Sequence, residues 1–65
     1  MERTRIKELR EERKISQTQL AEIVGLNQRT ISNYETGTVE PSISTIRKLC
    51  EYFDVTAGYL LGFED

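Results

Sequence analysis

The chain has 65 residues, of which 37% are hydrophobic and 31% are charged, and its formal net charge is −2. A chain this short buries only about 60% of the surface that its unfolded form exposes, which excludes a large catalytic architecture. One cysteine and no histidine exclude an internal disulfide, a zinc site of cysteine and histidine, and histidine-dependent acid–base chemistry. We therefore expect a protein that is not an enzyme and that uses no cofactor and no metal.

The acidity of the chain is concentrated at its C-terminal end. Residues 51–65 hold four acids and no base, whereas residues 1–50 hold nine bases and seven acids, a net charge of +2. The overall charge therefore neither proves nor excludes a polyanionic partner. No apolar run approaches the roughly 20 residues of a membrane helix, and no signal peptide is visible, so we expect a cytoplasmic protein with no membrane partner.

The sequence predicts five short helices and no strand. The first covers roughly residues 3–13, with Ile6 and Leu9 on its buried side. The second starts at Ser16, which forms a capping box with Gln19. It ends at Gly25, and its apolar stripe comprises Leu20, Ile23 and Val24.

The third predicted helix, roughly residues 28–35, begins after Asn27 and stops at Gly37. Its apolar edge is thin, because only Ile31 and Tyr34 are apolar. The fourth helix begins after Ser42. Its predicted core face comprises Ile43, Ile46, Leu49, Cys50 and Phe53. The short fifth helix is capped by Thr56 and holds Leu60 and Leu61.

The second and third helices have the spacing of a helix-turn-helix, a motif whose second helix enters the DNA major groove. Counting from Gln17, a small residue comes fifth (Ala21), glycine comes ninth (Gly25) and a β-branched residue comes fifteenth (Ile31). Ala21 lets the helices cross closely, and Gly25 makes the turn. Four polar residues remain on the outer side of the second of these helices: Gln28, Arg29, Ser32 and Asn33.

These motifs resemble the Cro and phage-repressor (XRE-type) helix-turn-helix family over about residues 3–62. The runs that carry the resemblance are residues 16–25, 30–37, 41–42 and 53–62. The resemblance implies a compact all-α, five-helix bundle of the lambda repressor-like type. It also implies that the chain binds a double-stranded DNA operator as a two-fold homodimer and regulates transcription, most often as a repressor, in a bacterium or phage.

Carried onto this chain, the resemblance makes Gln28, Arg29 and Asn33 the base-reading residues, with Ser32 beside them. This agrees with the chemistry of base edges, since Arg suits guanine and Gln or Asn suits adenine. Gln17 is expected beside a backbone phosphate, at a helix start whose free N–H groups favour an anion. The further phosphate candidates are Ser16, Thr36 and Thr38.

Two structural expectations complete the prediction, and the first follows from the same resemblance. Arg10 and Glu35 occupy positions that can form an ion pair between helices. The dimer surface is expected on the fifth helix and the segment before it. Its predicted residues are Val55, Ala57, Tyr59 and Leu60.

One functional alternative stays open at this point. The chain could be a protein-interaction module, such as an antitoxin or an anti-regulator, because its acidic last fifteen residues could dock a basic partner. We expect residues 1–65 to form a single helix-turn-helix domain. Such a domain could also be the N-terminal part of a longer regulator.

Overall fold

A computed structural model describes residues 4–65, which form an all-α fold. The five predicted helices are confirmed, although their ends differ slightly from the expectation. Their bounds are α1 Ile6–Glu12, α2 Gln17–Val24, α3 Gln28–Thr36, α4 Ile43–Phe53 and α5 Ala57–Leu60. The predicted start of α1 near Arg3 lies outside the described residues. None of these helices is long and apolar enough to cross a membrane.

Side chains at the helix starts fix where most of the helices begin. Ser16 and Gln19 form the predicted capping box at the start of α2. Asn27, Ser42 and Thr56 each accept a backbone N–H from the first turn of α3, α4 and α5. Such caps satisfy donors that a helix cannot pair internally, which explains why helices this short have defined ends.

One hydrophobic core holds the helices together and takes residues from all five. Its fully buried side chains are Ile6, Leu20, Ile31, Leu49 and Leu60. α3 packs mainly on α2 and α1, whereas α4 packs mainly on α5 and α2. α2 is therefore the neighbour that α3 and α4 share, with α1 beside α3 and α5 beside α4.

The chain ends are tied together around Arg5. The backbone N–H of Arg5 donates to the carbonyl oxygen of Leu60 at 2.8 Å. Its guanidinium lies 4.2 Å from the centre of the Tyr59 ring and donates to the Tyr59 carbonyl oxygen at 2.7 Å. The start of α1 is thus joined to α5 by backbone, cation–π and side-chain contacts.

The predicted core face of α4 is partly wrong. The buried line runs through Thr45, Leu49 and Phe53, with Ile46 and Cys50 half-buried at its edge. Ile43 is 79% exposed, because at about 100° per residue it points roughly 120° away from Leu49. For a similar reason Ile23, predicted on the buried stripe of α2, is 48% exposed.

Candidate nucleic-acid interface

The turn between α2 and α3 has the geometry that the glycine spacing predicted. Gly25 adopts a left-handed conformation, with φ of 75°, and its N–H caps the end of α2. The N–H of Leu26 donates to the carbonyl oxygen of Ala21 at 2.8 Å. Asn27 then caps α3 through a 2.8 Å hydrogen bond that its Oδ1 accepts from the N–H of Thr30. The turn is therefore short and fixed at both ends.

α3 has one buried side and one polar side. Ile31, Tyr34 and Glu35 are buried against the rest of the protein. The four residues predicted to contact bases lie on the opposite side, within an arc of roughly 140°. Gln28 and Arg29 are exposed, whereas Ser32 and Asn33 are half-buried.

The predicted ion pair between α1 and α3 is present in the structure. Nε of Arg10 donates to Oε2 of Glu35 at 2.7 Å, and Nη2 donates to Oε1 at 3.2 Å. The two side chains are only 12% and 4% exposed. The hydrogen bond to the Glu35 carboxylate raises the pKa of Arg10, and this outweighs the opposing effect of burial. The guanidinium therefore stays charged.

Gln17 extends this pair to the start of α3. Its Nε2 donates to Oε1 of Glu35 at 2.9 Å, while its Oε1 accepts a hydrogen bond from Nε2 of Gln28. A continuous chain thus joins the Arg10 guanidinium to Gln28, which is exposed. This link could not be predicted from the sequence, where its only signal is that amide side chains occupy the first position of both α2 and α3.

The predicted base-reading residues therefore differ in how they are held. Gln28 is oriented by Gln17, whereas no hydrogen bond within residues 4–65 involves the side chains of Arg29, Ser32 or Asn33. Gln28 keeps its carbonyl oxygen and one amide hydrogen for a further partner, since an amide offers two donors and an acceptor. The polar side of α3 can thus form hydrogen bonds with an external ligand.

The predicted phosphate contacts lie at helix ends. Ser16 and Gln17 are at the start of α2, where the Ser16 hydroxyl oxygen accepts the Gln19 N–H at 3.0 Å. Thr36 and Thr38 lie after the buried part of α3, and their hydroxyl oxygens are 2.9 Å apart. Both threonines are exposed. The Thr36 hydroxyl donates to the carbonyl oxygen of Asn33 at 3.2 Å, so the Thr38 hydroxyl is the donor between the two threonines. Only the Ser16 hydroxyl keeps a hydrogen that an anion could accept without replacing one of these bonds.

The residues predicted to form a dimer surface are not equally accessible. Ala57 is exposed, and Val55 and Tyr59 are half-buried. Leu60 is fully buried in the core, so the prediction that it contacts a partner is wrong for this conformation. Its position on the inner side of the short α5 directs the side chain inward.

A model of the helix-turn-helix family matches residues 6–60. By structure, the chain is similar to the P22 c2 repressor, which was crystallised with a synthetic operator, with a TM-score of 0.86 and 30% identity. That match covers 92% of this chain and 91% of the repressor chain.

Two curated relatives differ in what their names describe. The cryptic phage CTXphi transcriptional repressor RstR of Vibrio cholerae is 33% identical over 58 residues, which are 89% of this chain and 52% of RstR. The antitoxin PezA of Streptococcus pneumoniae is 35% identical over 57 residues, which are 88% of this chain and 36% of PezA. The chain thus spans about half of RstR and about a third of PezA.

Proposed function

The chain belongs to the Cro and phage-repressor helix-turn-helix family, and we propose that it binds double-stranded DNA as a homodimer. In this proposal it occupies a two-fold-symmetric operator and represses transcription. It acts in the cytoplasm, on the nucleoid, and performs no catalysis.

The observation that carries this proposal is the polar side of α3. Arg29 and Asn33 have no intramolecular side-chain hydrogen bond within residues 4–65, and Gln28 is oriented with an acceptor and a donor to spare. Arg matches the O6 and N7 acceptors of guanine, and Gln or Asn matches the N6 and N7 groups of adenine. We assign direct base contacts to these three residues, with Ser32 as a fourth contact beside them.

Contacts to the DNA backbone position the protein in this proposal but carry no sequence information. We assign them to Gln17 and Ser16 at the start of α2, where unpaired N–H groups favour an anion. Thr36 and Thr38 lie at the other end of the motif, where a phosphate oxygen replaces a partner that their hydroxyl groups have within the chain. Because none of these four residues is charged, their contribution comes from hydrogen bonds rather than from counterion release.

In the proposed complex two copies contact one face of the duplex. Their α3 helices enter successive major grooves, with half-sites about 34–36 Å apart. The operator is then an inverted repeat, because the symmetry of the site mirrors that of the protein.

Enrichment of random short duplexes on the purified chain, at near-physiological salt, tests the proposal. We expect an inverted repeat whose half-sites are one helical turn apart. Arg29→Ala relaxes the preference at one base position in each half-site. Lys48→Ala removes an exposed positive charge from α4 and is the matched control, because it leaves the selected sequence unchanged. Weak binding with strong salt dependence and no enriched sequence would overturn the proposal.

The similarity to PezA favours a second candidate function, that of an antitoxin subunit that binds a protein. The four acids of residues 51–65 suit a basic partner. Arg29→Ala would then leave partner binding unchanged, and charge reversal of Glu64 and Asp65 would abolish it. The polar side of α3 has no role in this second function, which is why we place it below DNA binding.

A further inference from the structure

We propose that the second copy of the chain docks on the outer side of α4, through a groove that Arg47 and Glu51 make self-complementary. This inference rests on the proposed homodimer and adds the surface that forms it. The groove has a volume of about 310 Å³. Its lining residues, which we call the α4 groove, are Ile43, Ile46, Arg47, Cys50, Glu51 and Ala57.

The α4 groove exposes apolar surface beside charged residues. Ile43 is 79% exposed, although it is a large apolar side chain. Ile46 and Cys50 are half-buried beside it, so the apolar surface runs from the edge of the core outward. An apolar patch with a polar border is typical of a protein interaction site.

Two opposite charges border this patch on the same helix. Arg47 and Glu51 are four residues apart, so they lie on one side of α4. Both are exposed, and neither takes part in an ion pair within residues 4–65. Their charges therefore remain available to a partner.

The order of these charges favours a second copy of the same chain. In a two-fold contact the same patch faces itself, so each pair of residues occurs twice. If the two α4 helices run antiparallel, Arg47 of one copy lies towards the position of Glu51 in the other. A parallel arrangement would instead place like charges together, which is unfavourable. The charge pattern thus selects an antiparallel, isologous contact.

A contact at this position leaves α3 free for DNA. The residues that line the α4 groove belong to α4 and α5, and none of them belongs to α3. A second copy on the outer side of α4 therefore does not cover Gln28, Arg29 or Asn33. Both copies of α3 remain exposed, as simultaneous entry into two major grooves requires.

The surface predicted from the sequence suits a second copy less well. Val55 and Tyr59 lie in a different depression, whose other lining residues include Asp54, Glu64 and Asp65. A two-fold contact there would bring six carboxyl groups together with only the two copies of Arg5, beside Tyr59, to oppose them. The excess of like charges disfavours association. Of the predicted interface residues, Ala57 alone also lines the α4 groove.

Charge reversal combined with sedimentation equilibrium of the 65-residue chain, up to millimolar concentration, tests the surface. Arg47→Glu and Glu51→Arg each turn two attractive pairs into repulsive ones, and we expect each to weaken dimerisation at least about tenfold. The combined variant restores opposite charges and should recover the wild-type constant to within about threefold. Ile43→Asp should abolish the dimer. Phe63→Asp is its matched control, because Phe63 is also 79% exposed and lies outside the groove.

The outcomes distinguish a failure of the docking surface from a failure of the proposed function. A monomeric wild-type chain at millimolar concentration, or a combined variant no better than either single one, overturns the docking surface. If Phe63→Asp is as damaging as Ile43→Asp, the surface is likewise overturned. A chain that dimerises as expected but enriches no DNA sequence overturns the proposed function and leaves the docking surface intact. Circular dichroism confirms that each variant is folded.

Discussion

The Arg10 guanidinium holds the Glu35 carboxylate at 2.7 Å, across the boundary between α1 and α3, and both side chains are largely shielded from water. The pair joins the first helix of the chain to the proposed DNA-contacting helix. Arg10 also donates to the carbonyl oxygen of Ile15 at 2.9 Å. One buried guanidinium therefore fixes α1, the segment before α2, and α3 relative to one another.

We expect Arg10→Met to destabilise the protein by about 3–5 kcal/mol, because it leaves the buried Glu35 carboxylate without its charged partner. A small domain is stable by only about 5–15 kcal/mol, so the variant should be largely unfolded in mild denaturant. Urea unfolding followed by circular dichroism measures the loss.

The matched control is the double variant Arg10→Met with Glu35→Leu, which removes both charges. It should be markedly more stable than Arg10→Met alone, since replacing a buried pair by apolar residues is often neutral or stabilising. A double variant as unstable as the single one would show that the loss comes from packing of the arginine stem and not from the unpaired carboxylate.

Two glycines should respond differently to alanine. Gly25 has φ of 75° and open space around the position of a Cβ, so Gly25→Ala should cost about 1–2 kcal/mol from the left-handed conformation alone. A Cβ on Gly58 would lie 2.6 Å from the side chain of Glu64. That side chain is exposed and can turn aside, although it then loses its hydrogen bond from the Thr56 hydroxyl. Gly58→Ala should therefore change stability by less than about 1 kcal/mol. Thermal unfolding of both variants tests this contrast, which equal losses would contradict.

The helix order and the helix-turn-helix were predictable because local chemistry determines them. Asn27 and Gly25 each act through the backbone of their own turn, so their roles are visible in a short stretch of sequence. The exposure of Ile43 was not predictable in this way. An apolar repeat defines a broad face, and only packing against the other helices decides which edge of that face is buried.

The series of side-chain hydrogen bonds through Gln17 could not be predicted from the sequence either. Gln17 and Glu35 are 18 residues apart, and their contact depends on how α2 and α3 cross. The resemblance to the family predicts the pair of Arg10 and Glu35, but for Gln17 it predicts only a phosphate contact. The structure gives its side chain two protein partners and leaves one amide hydrogen for such a contact.

The Cys50 thiol should be less reactive in the folded chain than in the unfolded chain. Burial raises the pKa of this thiol, so folding favours the protonated form. The difference between the two pKa values stabilises the folded state at pH values below the pKa of the unfolded thiol. This stabilisation is lost as the pH rises from that pKa through the higher pKa of the folded thiol. Because the thiolate is the nucleophile, alkylation by iodoacetamide at pH 8.5 should be several-fold slower in the native chain than in denaturant. Equal rates would contradict a shielded thiol.

Gln17→Ala should weaken base discrimination without removing a base contact. The substitution takes away the oxygen that accepts the Gln28 amide hydrogen and one of the donors to Glu35. The Gln28 side chain then loses more conformational entropy when it adopts a single orientation against a base. We expect a loss of about 1 kcal/mol, or roughly fivefold, at the base position that Gln28 contacts. Measured affinities for duplexes substituted at each half-site position give the value.

Gln19→Ala is the matched control for this effect, because Gln19 has the same side chain on the same helix but bonds only to Ser16 within residues 4–65. It should lower stability slightly through the lost capping box and leave relative affinities among the duplexes unchanged. A uniform drop for Gln17→Ala across all duplexes would indicate a phosphate contact alone, since backbone contacts do not discriminate sequence. A loss confined to the position that Gln28 contacts would show that Gln17 orients this exposed base-contacting residue.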